Sequence, residues 1–141
     1  MKRRTLVAVL ANAAAFASLG ASQAQSQQPK SAGTKSQDAM NEIVGSGGSL
    51  VVAQWEAKEG QADTVAAILN GFLPQAQNDP GVKLFLIARG KENQAQFLFF
   101  ELFVDDAAIA AHRASAYFKT YIAERALPLL SKRESAQYSL L

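Results

Sequence analysis

The sequence predicts one α+β domain with the element order β-α-β-β-α-β, and three observations carry that prediction. The chain has 141 residues, 49% of them hydrophobic and none of them cysteine. That suits a single domain that buries its own core without disulfide staples. From Leu50 onward the apolar pattern switches between strand and helix periods, with turn residues at each switch. The stretch 96–104 is apolar on both sides, interrupted by Glu101, so its sheet needs cover on both faces.

The first 24 residues read as an export signal. Lys2-Arg3-Arg4 is a basic start, 5–20 is an apolar run, and Ser22-Gln23-Ala24 has the small residues of a cleavage site. The run is short for a membrane span, so a retained anchor is the lesser reading. The Arg3-Arg4 pair also allows a twin-arginine route. Export places the mature chain in the periplasm. Residues 25–48 are rich in Gln, Ser, Gly and Lys and are expected to form a flexible linker.

The domain then spans 49–141. Residues 50–56 carry the β-branched and aromatic content of a strand. In 62–77, Val65, Ile68, Leu69, Phe72, Leu73 and Ala76 make one helical stripe, with Pro74 expected to kink the last turn. Asn78-Asp79-Pro80-Gly81 breaks the chain before a second strand at 82–89. A polar loop at 90–94 joins it to the third strand. Asp105 or Asp106 caps a helix through 107–113 that continues or restarts from Ser115 and is limited by Pro128. A short strand at 135–140 closes the order of a ferredoxin-like sandwich. Helices cover one sheet face. The linker is too polar to cover the other, so the prediction is a homodimer with two sheets face to face.

The net charge of +2 depends on the leader. Without Lys2, Arg3 and Arg4 the fourteen basic residues fall to eleven, against twelve acidic. No basic stripe remains to recruit nucleic acid, and nothing later calls for a membrane. One histidine and no cysteine exclude thiolate sites and multi-histidine metal cages.

Glu101 and Phe103 end a strand, Asp105 and Asp106 begin a helix, and His112, Ser115 and Phe118 follow at three-residue steps. This Glu-x-aromatic, acidic, Ala-His-x-x-Ser-x-x-Phe pattern resembles the antibiotic biosynthesis monooxygenase family, which includes quinol monooxygenases. Val51-Val52-Ala53, Glu59-Gly60 and Asp79-Pro80-Gly81 match as well, so the resemblance covers 49–141. It implies a dimeric α+β barrel. It also implies a cofactor-independent oxygenase, using neither metal, flavin nor haem, that oxidises a small electron-rich aromatic such as a quinol with molecular oxygen. Haem degradation is disfavoured, because Ile122 stands where haem-degrading relatives carry histidine. Phe103 stands where many relatives carry Trp or Tyr.

Such chemistry needs a base, a dry pocket and a donor for a developing oxyanion. His112 and Glu101 are the candidate catalytic residues. Arg89, Trp55, Asn70, Phe99, Phe103, Tyr117 and Phe118 are the candidate substrate contacts, with Tyr121 beside them. Each has a structural alternative: packing for His112, an ion pair with Arg89 or Arg113 for Glu101, a solvated strand end for Arg89, a surface helix position for Asn70, and core for the aromatics. The competing functions are a non-catalytic binder of a small hydrophobic ligand and an isomerase on the same scaffold.

Overall fold

The computed structural model describes residues 32–141. The export signal expected at 1–24 and the start of the expected linker lie outside them. The rest of that linker departs from expectation. Ala32–Gly45 forms a helix, α1, where a flexible coil was expected from composition. Met40, Ile43 and Val44 fall on one side of it, and Met40 and Val44 are exposed. Its sequence does not announce a helix, since it holds only two Ala and one each of Gln, Glu and Met beside two Gly, Thr, Ser, Asp and Asn.

The chain continues as β1 (Ser49–Ala57), α2 (Ala62–Gln77), β2 (Val82–Arg89), β3 (Gln96–Phe103), α3 (Asp106–Ala114) and α4 (Phe118–Ala126). A 3₁₀ turn at Leu127–Leu129 leads into β4 (Leu130–Ser139). α4 has wide, π-type turns, seen where Leu127 N–H reaches Ile122 O. β4 begins five residues before the predicted strand, because it pairs along the whole of β1. Its polar sequence has little apolar alternation to reveal it. Pro74 sits inside α2, which still runs to Gln77.

The four strands form one antiparallel sheet in the order β2-β3-β1-β4. This is the ferredoxin-like α+β arrangement. Strand alternation sends Val51, Ala53, Trp55, Phe85, Phe97, Phe99 and Phe103 to the face under the helices, where all are buried. α2 meets them with Val65, Ile68, Leu69, Phe72 and Ala76, and α4 with Ile122 and Ala126.

The opposite face is open in the single chain except at Leu102, which is buried. Register sets Leu84, Leu102, Leu50 and Tyr138 in one row across it and Leu86, Phe100, Val52 and Ala136 in the next. Leu86 and Tyr138 are about half exposed, at 51% and 52%, and Phe100 is at 38%. The apolar content on both sides of β3 is therefore real, and only one side is satisfied within the chain. Among the described residues no helix is long and apolar enough to cross a membrane.

Candidate active site

The motif around His112 is first a piece of helix engineering. Asp105 caps α3 by accepting from Ala108 N–H at 2.8 Å. Ser115 ends it, its hydroxyl donating to His112 O at 2.7 Å and accepting from Phe118 N–H at 3.2 Å. One serine therefore stops α3 and starts α4. That turn holds the rings of His112 and Phe118 edge to face, 5.3 Å apart.

His112 is buried, at 2% exposure, among Phe72, Phe85, Phe103 and Phe118. Its Nδ1 lies 2.7 Å from the Tyr117 hydroxyl, which donates to Asp79 Oδ2 at 2.6 Å. Asp79 is fixed in turn by Gly81 N–H, which donates to Oδ1 at 2.9 Å. The phenol has one proton and gives it to Asp79, so its oxygen accepts from Nδ1–H. Burial outweighs the attraction of Asp79 and lowers the His112 pKa to about 4. The imidazole is neutral at ordinary pH and held in one tautomer. Burial and the bond to Asp79 push the Tyr117 phenol far up.

Glu101 lies on the same face, opposite Phe85 and Val51. Burial raises its pKa to about 7 against the pull of Arg113 and Arg133. A carboxyl poised there is suited to moving protons near neutrality. Glu101, His112, Phe103, Tyr117 and Phe118 thus gather at one end of the helix-covered face. Phe99 belongs to the core beside them, and Tyr121 packs over Phe72.

The other candidates gather elsewhere. Arg89 is four residues along β2 from Phe85, about 13 Å at a strand's rise of ~3.3 Å per residue. There a cleft of about 250 Å³ opens between α2 and β2, walled by Ala66, Leu69, Leu73, Ile87 and Phe97, with Asn70 and Arg89 as its polar groups. Arg89 also borders a hollow of about 450 Å³ with Gln54, Glu56, Leu98, Lys132 and Glu134. Neither His112 nor Glu101 lines either space.

Trp55 joins the two clusters. Its ring is 4.4 Å from Phe99, and it shares a cross-strand row with Phe97 and Arg133. The guanidiniums of Arg89 and Arg133 cap that row, 5.6 Å over Phe97 and 6.0 Å over Trp55. Trp55 Nε1 is a buried donor without a partner among the described residues.

The sequence profile of one family, antibiotic biosynthesis monooxygenase, matches residues 49–124, which is more than half of the chain. The chain belongs to the antibiotic biosynthesis monooxygenase family. The fold agrees with that membership. A Shewanella oneidensis protein, SO0527, superposes with a TM-score of 0.62 at 22% identity, covering 67% of this chain and 91% of its own. PA3566 of Pseudomonas aeruginosa gives 0.64 at 19% identity, with 67% and 95% covered. A Nitrosomonas europaea protein assigned to the same family gives 0.61 at 16% identity, with 64% and 86% covered. No curated protein matches the chain by sequence. Within the matched span lie Asp79, Tyr117 and His112, so the family segment of this chain contains the whole hydrogen-bonded relay.

Sequence reasoning identified His112 and Tyr117 separately and missed Asp79 as their partner. The available signal was Asp79-Pro80-Gly81. A carboxylate in a breaker turn bonds its own loop first, which leaves one oxygen for a distant donor.

Proposed function

We propose that this protein is a monooxygenase of small, electron-rich, quinol-like aromatics, which it oxidises with molecular oxygen and no cofactor. The observation that carries this reading is the cleft between α2 and β2. It is a mostly apolar slot in a monooxygenase-family domain, with one guanidinium and one amide among its lining side chains. Apolar walls suit a ring, and two polar groups suffice to orient one.

The substrate supplies the electrons. Arg89 favours the ionised phenol by its fixed positive charge. A phenolate gives electrons to oxygen readily. In the balanced reaction a quinol and O₂ give a hydroxyquinone and water. One oxygen atom enters a ring carbon, the other leaves as water, and the substrate provides all four electrons. Asn70 orients the ring. The protons of the departing water come from solvent, because Glu101, opposite Phe85 on the buried sheet face, does not line the cleft. Neutral His112, locked by Tyr117 and Asp79, packs with Phe72, Phe85 and Phe103 in the core and keeps the helices set on the sheet.

The open sheet face supports a second copy packed against it, and the leader-like first 24 residues support export to the periplasm. Labelled oxygen tests the activity. With ¹⁸O₂ and naphthalene-1,4-diol, the expected organic product carries one labelled atom and water carries the other. A product with no label, or with two, overturns the assignment as a monooxygenase.

A further inference from the structure

Apart from Leu141 at the chain end, the large apolar side chains that stay exposed among the described residues fall into two groups. Leu86, Leu98, Phe100 and Tyr138 are on the open sheet face, at 38–52% exposure. Met40 and Val44 are on α1, at 51% and 40%, and Val104 lies just past the end of β3. The two groups adjoin. Ser49, which opens β1 shortly after α1 ends, pairs with Phe103 and Ser139. Thus α1 and Val104 meet the sheet at the end where Tyr138 sits. α1 does not cover its own sheet, because Leu86, Phe100 and Tyr138 are exposed with α1 in place. Lys83 Nζ fixes the turn between α1 and β1 by donating to Ser46 Oγ at 2.6 Å and to Gly47 O. From Lys35 on, every residue of α1 except Ile43 is exposed.

We infer that α1 is an intersubunit arm, which lays Met40 and Val44 on the open sheet face of a second copy and receives that copy's α1 in return. The inference rests on the second copy proposed for that face. Area favours this occupant. A covered aromatic side chain buries about 150–250 Å², so the four partly exposed side chains of the sheet face offer roughly 300–450 Å². A stable interface buries roughly 800 Å² per partner. The sheet face alone falls short, and α1 adds apolar area that its own chain leaves in water. The arm is long enough. Its 14 residues span about 21 Å at ~1.5 Å per residue, and four strands spaced ~4.8 Å apart are narrower than that. A two-fold contact is self-complementary, so one arm and one face per chain satisfy both copies.

The test uses the full-length protein, which has no cysteine of its own. A chain carrying Met40→Cys is co-expressed with a differently tagged chain carrying Leu86→Cys, Phe100→Cys or Tyr138→Cys, and disulfides are mapped by mass spectrometry. The expected result is a disulfide from position 40 of one chain to at least one of these sheet positions of the other. Met40→Cys and Tyr138→Cys placed together in one chain should not close a disulfide within that chain. In dilution light scattering, the double variant Met40→Glu, Val44→Glu should keep the wild-type circular dichroism and raise the dimer Kd at least tenfold. A Kd raised less than tenfold overturns the arm and leaves the sheet contact standing. So does the absence of any disulfide between chains, or one that closes within a single chain. A wild type that is monomeric at micromolar concentration overturns both the arm and the sheet contact.

Discussion

The Tyr117 hydroxyl sits 2.7 Å from His112 Nδ1 and makes this histidine a fixed donor rather than a mobile base. The phenol passes its own proton to Asp79 at 2.6 Å, so three elements of the fold meet at one oxygen. Tyr117→Phe removes both bonds and leaves the His112 N–H buried without a partner. The expected cost is about 1–3 kcal/mol, read as a lower urea midpoint. Nitrogen NMR of the imidazole should show the Nδ1–H tautomer in the wild type and lose that preference in the variant. A variant as stable as the wild type would mean that the relay does not hold the fold.

Glu101 predicts how stability changes with pH. Its folded-state pKa is raised to about 7 from 4.5, so between those values the native protein holds a proton that the unfolded chain releases. That contribution is present at low pH and is lost as pH rises toward 7. Glu101→Gln cannot titrate. Its stability relative to the wild type should therefore grow between pH 5 and pH 8. Urea midpoints at the two pH values check this. His112 runs the other way, its pKa lowered to about 4, so its contribution falls as pH drops from 6.5 toward 4. Both proteins share His112, and the difference between them isolates Glu101.

Gly48 has φ +140°, and a Cβ there would lie 2.5 Å from Phe103 O. Both facts exclude a side chain where the chain enters β1. The Ser46 hydroxyl and Gly47 carbonyl just before it accept from Lys83 Nζ, which pins this turn to β2. Gly48→Ala should cost about 1–3 kcal/mol and lower Tm visibly in calorimetry. Gly45→Ala is the control: nothing lies within 4 Å of its Cβ, and Tm should hold or rise slightly.

The open sheet face predicts self-association. Leu86, Leu98, Phe100 and Tyr138 are exposed together, and a stable interface buries roughly 800 Å² per partner. Light scattering at micromolar concentration should give a dimer, and Phe100→Glu should give a folded monomer. A wild-type monomer would show that this face is not a contact between copies.

Much of the fold was legible in the sequence because burial follows period. The stripe Val65, Ile68, Leu69, Phe72 and Ala76 predicted α2 to the residue, and the breaker at Asn78–Gly81 separated it from β2. β4 was less legible, since β1 supplies its backbone partners while Ser131, Lys132, Arg133 and Glu134 carry no apolar alternation. α1 is not legible, because Gly, Thr, Ser, Asp and Asn in its fourteen residues are weak helix formers and its composition is that of a linker. In the candidate site, His112, Glu101 and Arg89 were legible as chemical types. What local sequence did not contain was their separation, or the bonds from Asp79 to Tyr117 and from Asp63 to Arg89. Those bonds span 38 and 26 positions and exist only once the sheet register is set.

The central claim is that oxidation takes place in the Arg89 cleft. The most direct measurement is oxygen uptake by the purified protein with a panel of hydroquinones and naphthalenediols and no added cofactor, with Arg89→Gln and Glu101→Gln run alongside. Uptake well above the autoxidation blank is expected for at least one ring, reduced at least tenfold in Arg89→Gln and little changed in Glu101→Gln. A folded protein that consumes no oxygen with any ring, or an Arg89→Gln variant as fast as the wild type, would contradict that claim.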